Sequence, residues 1–255
     1  MAEARPRRWS GLALLAALLV LWEVSAGWWV SSNNWPRLSV VLLSLVQGLR
    51  SGELLQVFAS SLYRMAAGYA AGTAVAVLVG LWLARQRWAR AALEPLLEVL
   101  RPIPIPAIVP PLILLLGVDD AMKIFVVAFS CFFPVLINTM AGVRAVDATV
   151  LDVARTFQLG AVRTLWRVVV PSSLPYILAG MRVSLALALI VTVVAEMIAG
   201  SAGIGYHIVT MQYAMRAGDM YAAIVLLALT GYALNALVVA LERRTIHWYH
   251  RADAR

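Results

Sequence analysis

Residues 152–171, DVARTFQLGAVRTLWRVVVP, form a charged, helix-forming stretch between two of the most apolar segments of the chain. The 255 residues are 62% hydrophobic and 13% charged, with a mean hydropathy of +0.84. A chain of this composition has too few polar groups to cover a water-soluble globule. The sequence therefore predicts an all-α, polytopic membrane protein in which residues 152–171 lie outside the lipid.

The apolar segments can be counted by length, because a helix needs about 20 apolar residues to cross a bilayer. Six stretches qualify, at approximately residues 11–30, 60–84, 95–117, 121–142, 178–199 and 220–241. Residues 38–50 are apolar but too short to span, and they suit an interfacial or packed helix better. We therefore expect one transmembrane domain over residues 1–255, with a polar loop at residues 143–175.

The arginines orient these spans, because loops on the cytoplasmic side are enriched in basic residues. If the N-terminus is cytoplasmic, only Arg37, Arg50 and Arg216 fall in outer loops. The inner segments then hold fourteen arginines: Arg5, Arg7, Arg8, Arg85, Arg87, Arg90, Arg144, Arg155, Arg163, Arg167, Arg243, Arg244, Arg251 and Arg255. Both termini are thus expected in the cytoplasm. The net charge of +8 reflects this topology rather than nucleic-acid binding.

The second span carries a small residue at every fourth position, a pattern that lets another helix approach its backbone closely. We expect this stripe to be a helix-packing face, within one subunit or between two: Gly68, Gly72, Ala76 and Gly80.

Three polar side chains in or beside the spans are candidates for a translocation pathway, because polar groups in lipid are costly. Glu196 either lines the pathway or locks helices together through an arginine or a hydroxyl. Asn138 suits an interhelical hydrogen bond as well as a ligand contact. Arg101 precedes a proline-rich segment and could be structural, or could pair with a headgroup, a carboxylate or an anionic substrate: Pro102, Pro104, Pro106, Pro110 and Pro111.

The loop after the fifth span contains apolar residues at helical spacing and predicts a short interfacial helix: Ile204, Ile208, Met211 and Met215. This helix could gate the outer mouth or lie among the lipid headgroups, and the second role is the simpler expectation.

Motifs for catalysis are missing from the sequence. No phosphate-binding G-x-x-x-x-G-K-[ST] loop occurs, and no cluster of His, Asp and Glu has the spacing of a metal or acid-base site. The sequence therefore does not favour an enzyme, and no cofactor or metal is expected in this chain.

The loop itself predicts two short amphipathic helices. The first places apolar residues on one face: Val146, Val150, Val153 and Phe157. Gly160 is expected to end it, and the second apolar face comprises Val162, Leu165, Trp166 and Val169. Pro171 should end the second helix, with Ser172 or Ser173 capping the fifth span. The pair could lie on anionic lipid or present a rigid surface to a cytoplasmic partner.

This stretch resembles the EAA loop of ABC-importer permeases, whose pattern is E-A-A, three residues, Gly, nine residues, then I-x-L-P. With Pro171 aligned, Asp152, Val153 and Ala154 take the E-A-A places. Gln158 takes the glycine place, which departs from the pattern, and Gly160 is expected to supply the turn instead. The frame of the motif otherwise fits.

The resemblance extends over residues 36–245. The segments LRPIPIPAIVPPLILLLGVDDAMKIFVVAFSCFFPVLINTMAGV and VVVPSSLPYILAGMRVSLALALIVTVVAEMIAG are similar to the nitrate, sulfonate and taurine branch of these permeases. The resemblance implies a type I ABC-importer permease fold in the bacterial inner membrane. It also implies import, by alternating access, of a small anionic solute such as a sulfonate, taurine or nitrate.

The resemblance further implies an assembly embedded in the lipid bilayer. Its parts are a second permease copy, forming a homodimer, two cytoplasmic ATPase subunits that carry ATP and Mg, and an extracytoplasmic solute-binding protein. The residues implied in ATPase coupling are Asp152, Val153, Ala154, Phe157, Gln158 and Gly160.

A secondary transporter that works without an ATPase is the alternative. Such a protein should have paired broken helices in two related halves, whereas this sequence has one proline-rich span.

Overall fold

The computed structural model describes residues 8–29, 32 and 34–245. The regular elements of this part of the chain are helices, which confirms the all-α prediction: α1 (Arg8–Val24), α2 (Leu38–Ser51), α3 (Glu53–Arg85), α4 (Arg87–Leu100), α5 (Ile105–Leu116), α6 (Asp120–Arg144), α7 (Ala148–Thr156), α8 (Ala161–Thr164), α9 (Val170–Ala199), α10 (Ile204–Tyr213) and α11 (Ala217–Thr245). A π-helical turn at Ser25–Trp29 extends α1, and another at Leu165–Val169 joins α8 to α9.

The three helices α3, α6 and α9 form the centre of the bundle, with α6 packed against both others. Their shared core includes the fully buried side chains of Val126, Cys131 and Ala188. Most of the large apolar side chains of α1 are exposed, which suits a helix that faces lipid. The helices α2 and α10 pack against the bundle at one end, called here the α10 end, and α7 lies at the other, the α7 end.

A stripe of small residues brings α3 against α6: Gly68, Gly72, Ala76 and Gly80. A Cβ atom on Gly68 would lie 2.7 Å from the Ile124 carbonyl oxygen, and one on Gly72 would collide with the Ala128 backbone. Ala76, the one member with a side chain, is fully buried. The stripe thus packs two helices of one chain.

Among the described residues, five helical segments are long and apolar enough to cross a membrane, and a sixth is bent: Ser10–Trp29, Glu53–Arg85, Asp120–Arg144, Ala161–Ala199 and Ala217–Glu242, with the pair Arg87–Leu100 and Ile105–Leu116. The bend between α4 and α5 is 99°, so the structure differs from the continuous helix expected at residues 95–117. Prolines explain the break, because Pro102, Pro104 and Pro106 have no N–H to donate to a helical ladder.

The fifth span also differs from the expected one, because helical structure begins at Ala161 rather than near residue 178. Pro171 does not end a helix. It is the second residue of α9, immediately after the π-helical turn, where a missing N–H is tolerated. Ser173 does not cap the span either, since its hydroxyl donates to the Val169 carbonyl at 2.8 Å.

Candidate functional site

The α7 end presents a short helix whose start is capped. The Asp147 carboxylate accepts a hydrogen bond of 2.8 Å from the Thr149 backbone N–H, as an N-cap should. This hydrogen bond, with a second from the Thr149 side chain, lowers the pKa of Asp147. Because the folded-state pKa lies below the unfolded one, the cap stabilises α7 above the unfolded pKa. That contribution is lost as pH falls through the folded value.

The end of α7 corrects the expectation that Gly160 supplies the turn. The residue with left-handed backbone is Gln158, with φ of 51°, whereas Gly160 is extended, with φ of −63° and ψ of 157°. The Leu159 N–H donates to the Ala154 carbonyl and the Gln158 N–H to the Arg155 carbonyl, which together form a Schellman cap. A left-handed residue at this place is what the family pattern's glycine provides.

One face of α7 is apolar and exposed. The exposed fractions are 44% for Val150, 50% for Val153 and 75% for Phe157. Asp152 lies on the surface and pairs with Arg155 at 2.8 Å. Ala154 is 3% exposed and packs inward, so it is not on the surface available to a partner.

A cluster of buried charges lies near the α10 end. The Glu196 carboxylate is fully buried and accepts hydrogen bonds from Arg64 Nη1 at 2.6 Å and Ser61 Oγ at 2.7 Å. The Gly205 backbone N–H at the start of α10 donates to the same carboxylate at 3.0 Å. Arg64 also pairs with Asp120 at 2.7 Å. We call Ser61, Arg64 and Glu196 the buried charge cluster, and Asp120, whose side chain is 52% exposed, flanks it.

The cluster ties α10 to the bundle. Ser61 accepts a hydrogen bond from the Ile204 N–H at 2.8 Å, and Arg64 donates to the Ala202 carbonyl at 3.0 Å. Gly203, with φ of 109°, has no room for a side chain because a Cβ atom would collide with the Glu196 carboxylate. The start of α10 is therefore held by the side chains of the buried charge cluster. Of the two roles open for Glu196, the geometry matches the locking of helices.

A groove of about 470 Å³ lies between α5, α6 and α9, and it brings together Arg101 and Asn138. Glu196 is not among the residues that line it. The walls are mainly apolar, and a smaller groove of about 200 Å³ adjoins it at Arg101. Asn138 donates one amide hydrogen to the Pro134 carbonyl at 2.8 Å, within its own helix. The three candidate pathway residues thus separate into a groove and a buried cluster.

Sequence reasoning did not pair Glu196 with its partners. Arg64 and Ser61 lie 132 and 135 positions away in the chain, and helix packing alone brings them to Glu196. Lys123 is 1% exposed near the cluster and was likewise not singled out. A signal for both residues was present in the sequence. The free-energy cost of a charged side chain within a membrane span, which pointed to Glu196, applies equally to Arg64 and Lys123.

Membrane-length helices surround a partly polar groove, and a helix with an exposed apolar face lies at one end of the bundle. The chain belongs to the family described as the binding-protein-dependent transport system inner membrane component, which matches residues 76–247. It is therefore a permease component of an ABC importer.

Relatives in several organisms support this assignment. The chain is 34% identical to a Bacillus subtilis (strain 168) protein named as an aliphatic sulfonates transport permease, SsuC, covering 93% of this chain and 87% of that one. It is 29% identical to the taurine transport system permease protein TauC of Escherichia coli (strain K12), over 93% and 89%. The nitrate import permease protein NrtB of Synechocystis sp. is 28% identical, over 89% and 86%.

Solved structures with the same fold include the MetNI methionine ABC transporter in an inward-facing conformation. Its TM-score is 0.67 at 14% identity, over 75% of this chain and 95% of that one. A bacterial alginate ABC transporter has a TM-score of 0.62 at 14% identity, over 93% and 98%. The expected type I importer fold is confirmed.

Proposed function

We propose that two copies of this chain form the membrane path of an importer in the bacterial inner membrane, with α7 docked on a cytoplasmic ATPase subunit. ATP and Mg belong to two such ATPases, and an extracytoplasmic binding protein delivers a small anionic solute such as a sulfonate, taurine or nitrate. The observation that carries the proposal is the exposed apolar face of α7 in a chain of this family.

The face of α7 has the features of a docking surface. Val150, Val153 and Phe157 expose apolar side chains at the end of the bundle rather than along its lipid-facing sides. Exposed apolar side chains set among charged ones are typical of surfaces that bind another protein. The Asp147 cap and the Gln158 turn hold this face in one shape.

Helical continuity supports transmission from this surface. From α8 through the π-helical turn, the chain is helical over Ala161–Ala199, and Glu196 lies near its far end. A displacement of the docked face would therefore act on a rigid element that crosses the membrane, as alternating access requires.

The arginines support a cytoplasmic position for the α7 end. Arg144, Arg155, Arg163 and Arg167 flank or belong to α7 and α8, whereas the α10 end has Arg50 and Arg216. This distribution follows the positive-inside rule. Both chain termini would then also be cytoplasmic.

An anionic solute is supported by the names of the relatives, which describe transport of sulfonates, taurine and nitrate. The position of Arg101 in the groove is consistent with that charge. The negative charge of Glu196 does not oppose it, because Arg64 pairs with Glu196 outside the groove.

Co-purification tests the docking surface. The chain is coexpressed with a candidate ABC ATPase subunit from the same organism, purified in detergent and assayed for bound ATPase. Phe157→Asp places a charge in the apolar contact and Asp152→Arg reverses an exposed charge. Both should reduce the recovered ATPase at least tenfold while the permease remains folded.

Tyr213→Asp is the matched control, because Tyr213 is 83% exposed at the opposite end of the bundle. It should recover ATPase like the wild type. Uptake of a solute by the chain in proteoliposomes without any ATPase would overturn the proposal and favour a secondary transporter.

A further inference from the structure

The groove that contains Arg101 has the charge pattern of an anion site. Arg101 is the charged residue among those lining it, and no acidic side chain lines it within the described part of the chain. Glu94 and Glu98 line the smaller adjoining groove instead. An anion entering the larger groove thus meets one cation and no opposing charge.

The guanidinium of Arg101 is available to a ligand. Among the described residues it makes no ion pair, and the hydrogen bond of Arg101 is that of its backbone N–H to the Leu97 carbonyl. An arginine fork matches the oxygens of a sulfonate or carboxylate through two parallel N–H donors. Ser130 and the second amide hydrogen of Asn138 add donors in the same groove.

The remaining wall is apolar and large for an inorganic anion. Phe129, Phe133 and Leu187 contribute hydrocarbon surface, and the volume of about 470 Å³ falls within the range of organic-ligand sites, about 300–1,000 Å³. A four-atom anion such as nitrate would leave most of this wall without a contact. An alkyl tail would instead cover it, and burial of each methylene is favourable.

We infer that this groove binds organic monoanions with an apolar tail, such as alkanesulfonates, with the anionic head at Arg101 and the tail against Phe129 and Leu187. The inference rests on the proposed function and deepens it: the permease itself discriminates between alkanesulfonates and small inorganic anions. Selection is therefore shared between the membrane path and the binding protein.

A binding series with the full-length chain tests the inference. The chain is placed in nanodiscs of zwitterionic lipid, and bound tritiated 1-hexanesulfonate is displaced by butanesulfonate, methanesulfonate or nitrate. Affinity should rise about fourfold for each methylene added, as burial of hydrocarbon predicts. Nitrate should compete weakest.

Two substitutions separate the contribution of the ligand's anionic head to binding from that of its alkyl tail. Arg101→Gln should weaken the binding of every sulfonate about 10- to 100-fold, because it removes a charged hydrogen-bonding partner. The dependence of affinity on tail length should stay the same. Phe129→Ala should reduce the dependence on tail length and leave methanesulfonate unchanged. Arg87→Gln, on the exposed side of α4, is the control and should bind like the wild type.

Four results would overturn the inference. They are equal affinity for all tail lengths, nitrate competing as well as hexanesulfonate, an Arg101→Gln chain that binds normally, and displacement of hexanesulfonate when anionic phospholipid replaces the zwitterionic lipid. The last result would assign the groove to a lipid.

ATP-dependent uptake by the assembled transporter is measured separately, so that the two proposals can fail independently. If uptake requires the ATPase but Arg101→Gln binds and transports like the wild type, the groove assignment fails and the proposed function stands. If Arg101→Gln weakens the binding of all sulfonates as expected but no anion is taken up with ATP, the proposed function fails and the groove assignment stands.

Discussion

At the scale of single residues, Gln158 shows how a motif can be understood from backbone geometry. The sequence located the place where the pattern has glycine, and the expectation that Gly160 replaced it was wrong. The left-handed conformation at Gln158 comes from the Schellman hydrogen bonds that end α7, and it persists although a side chain is present. Side-chain identity alone does not reveal which residue of a turn takes positive φ.

Substitutions at these two positions should differ in the size of their effect. Gln158→Gly should stabilise the α7 cap by about 1 kcal/mol, because glycine adopts left-handed backbone without the steric cost of a Cβ atom. Gly160→Ala should change it by less than about 0.5 kcal/mol, since its backbone is ordinary and nothing lies within 4 Å of a Cβ atom there.

Amide hydrogen exchange across α7 measures both effects. Slower exchange in Gln158→Gly and unchanged exchange in Gly160→Ala are expected. Faster exchange in Gly160→Ala with no change in Gln158→Gly would place the critical turn at Gly160 after all.

At the scale of helices, periodicity and length predicted most spans but not their breaks or partners. The small-residue stripe pointed to close packing, and the structure places it between α3 and α6. The structure also has a 99° bend between α4 and α5 and a helical start at Ala161. Both depend on which backbone N–H groups are hydrogen-bonded near prolines and the π-helical turn, and a hydropathy profile contains no information on this. The buried charge cluster likewise joins residues that only tertiary packing brings together.

The pair of Arg64 and Glu196 should show strong coupling. Arg64→Met or Glu196→Gln alone leaves a buried partner without its counter-ion, and each should cost about 3–5 kcal/mol of unfolding free energy. The double substitution should cost less than the sum, because neither buried charge of that pair then remains.

Unfolding in mixed micelles with increasing SDS measures these free energies. The exposed pair of Asp152 and Arg155, whose side chains are 67% and 79% exposed, provides the control, and Arg155→Ala should cost about 0.5 kcal/mol or less. Strictly additive losses at Arg64 and Glu196 would show that the two side chains do not act together.

At the scale of the whole molecule, the number of spans was accessible from the sequence because it rests on long-range averages, whereas the family was accessible only through the resemblance of residues 152–171 to the EAA loop. Length, hydropathy and arginine distribution each sum over many residues, so local errors at prolines or turns do not alter them. The position of α10 could not be predicted from such averages. It was expected among headgroups, yet Ile204, Ile208 and Met211 are buried against the bundle.

Cysteine labelling tests the orientation of the two ends. The natural Cys131 is fully buried and should not react with a membrane-impermeant maleimide. Tyr213→Cys should be labelled in intact cells, and Val162→Cys, at a residue 71% exposed, only after the membrane is permeabilised. The opposite pattern would invert the topology and exclude cytoplasmic docking of α7.

The helical run of Ala161–Ala199, which includes the π-helical turn at Leu165–Val169, is long enough for a small tilt to move its two ends by a measurable distance. Its 39 residues span about 58 Å at a rise of 1.5 Å per residue. A tilt of about 5° around its midpoint moves each tip by roughly 2.5 Å, in opposite directions, over such a length. That distance is comparable to the 3.0 Å between the Gly205 nitrogen and the Glu196 carboxylate, so a tilt of the whole run by this angle would break that hydrogen bond with α10.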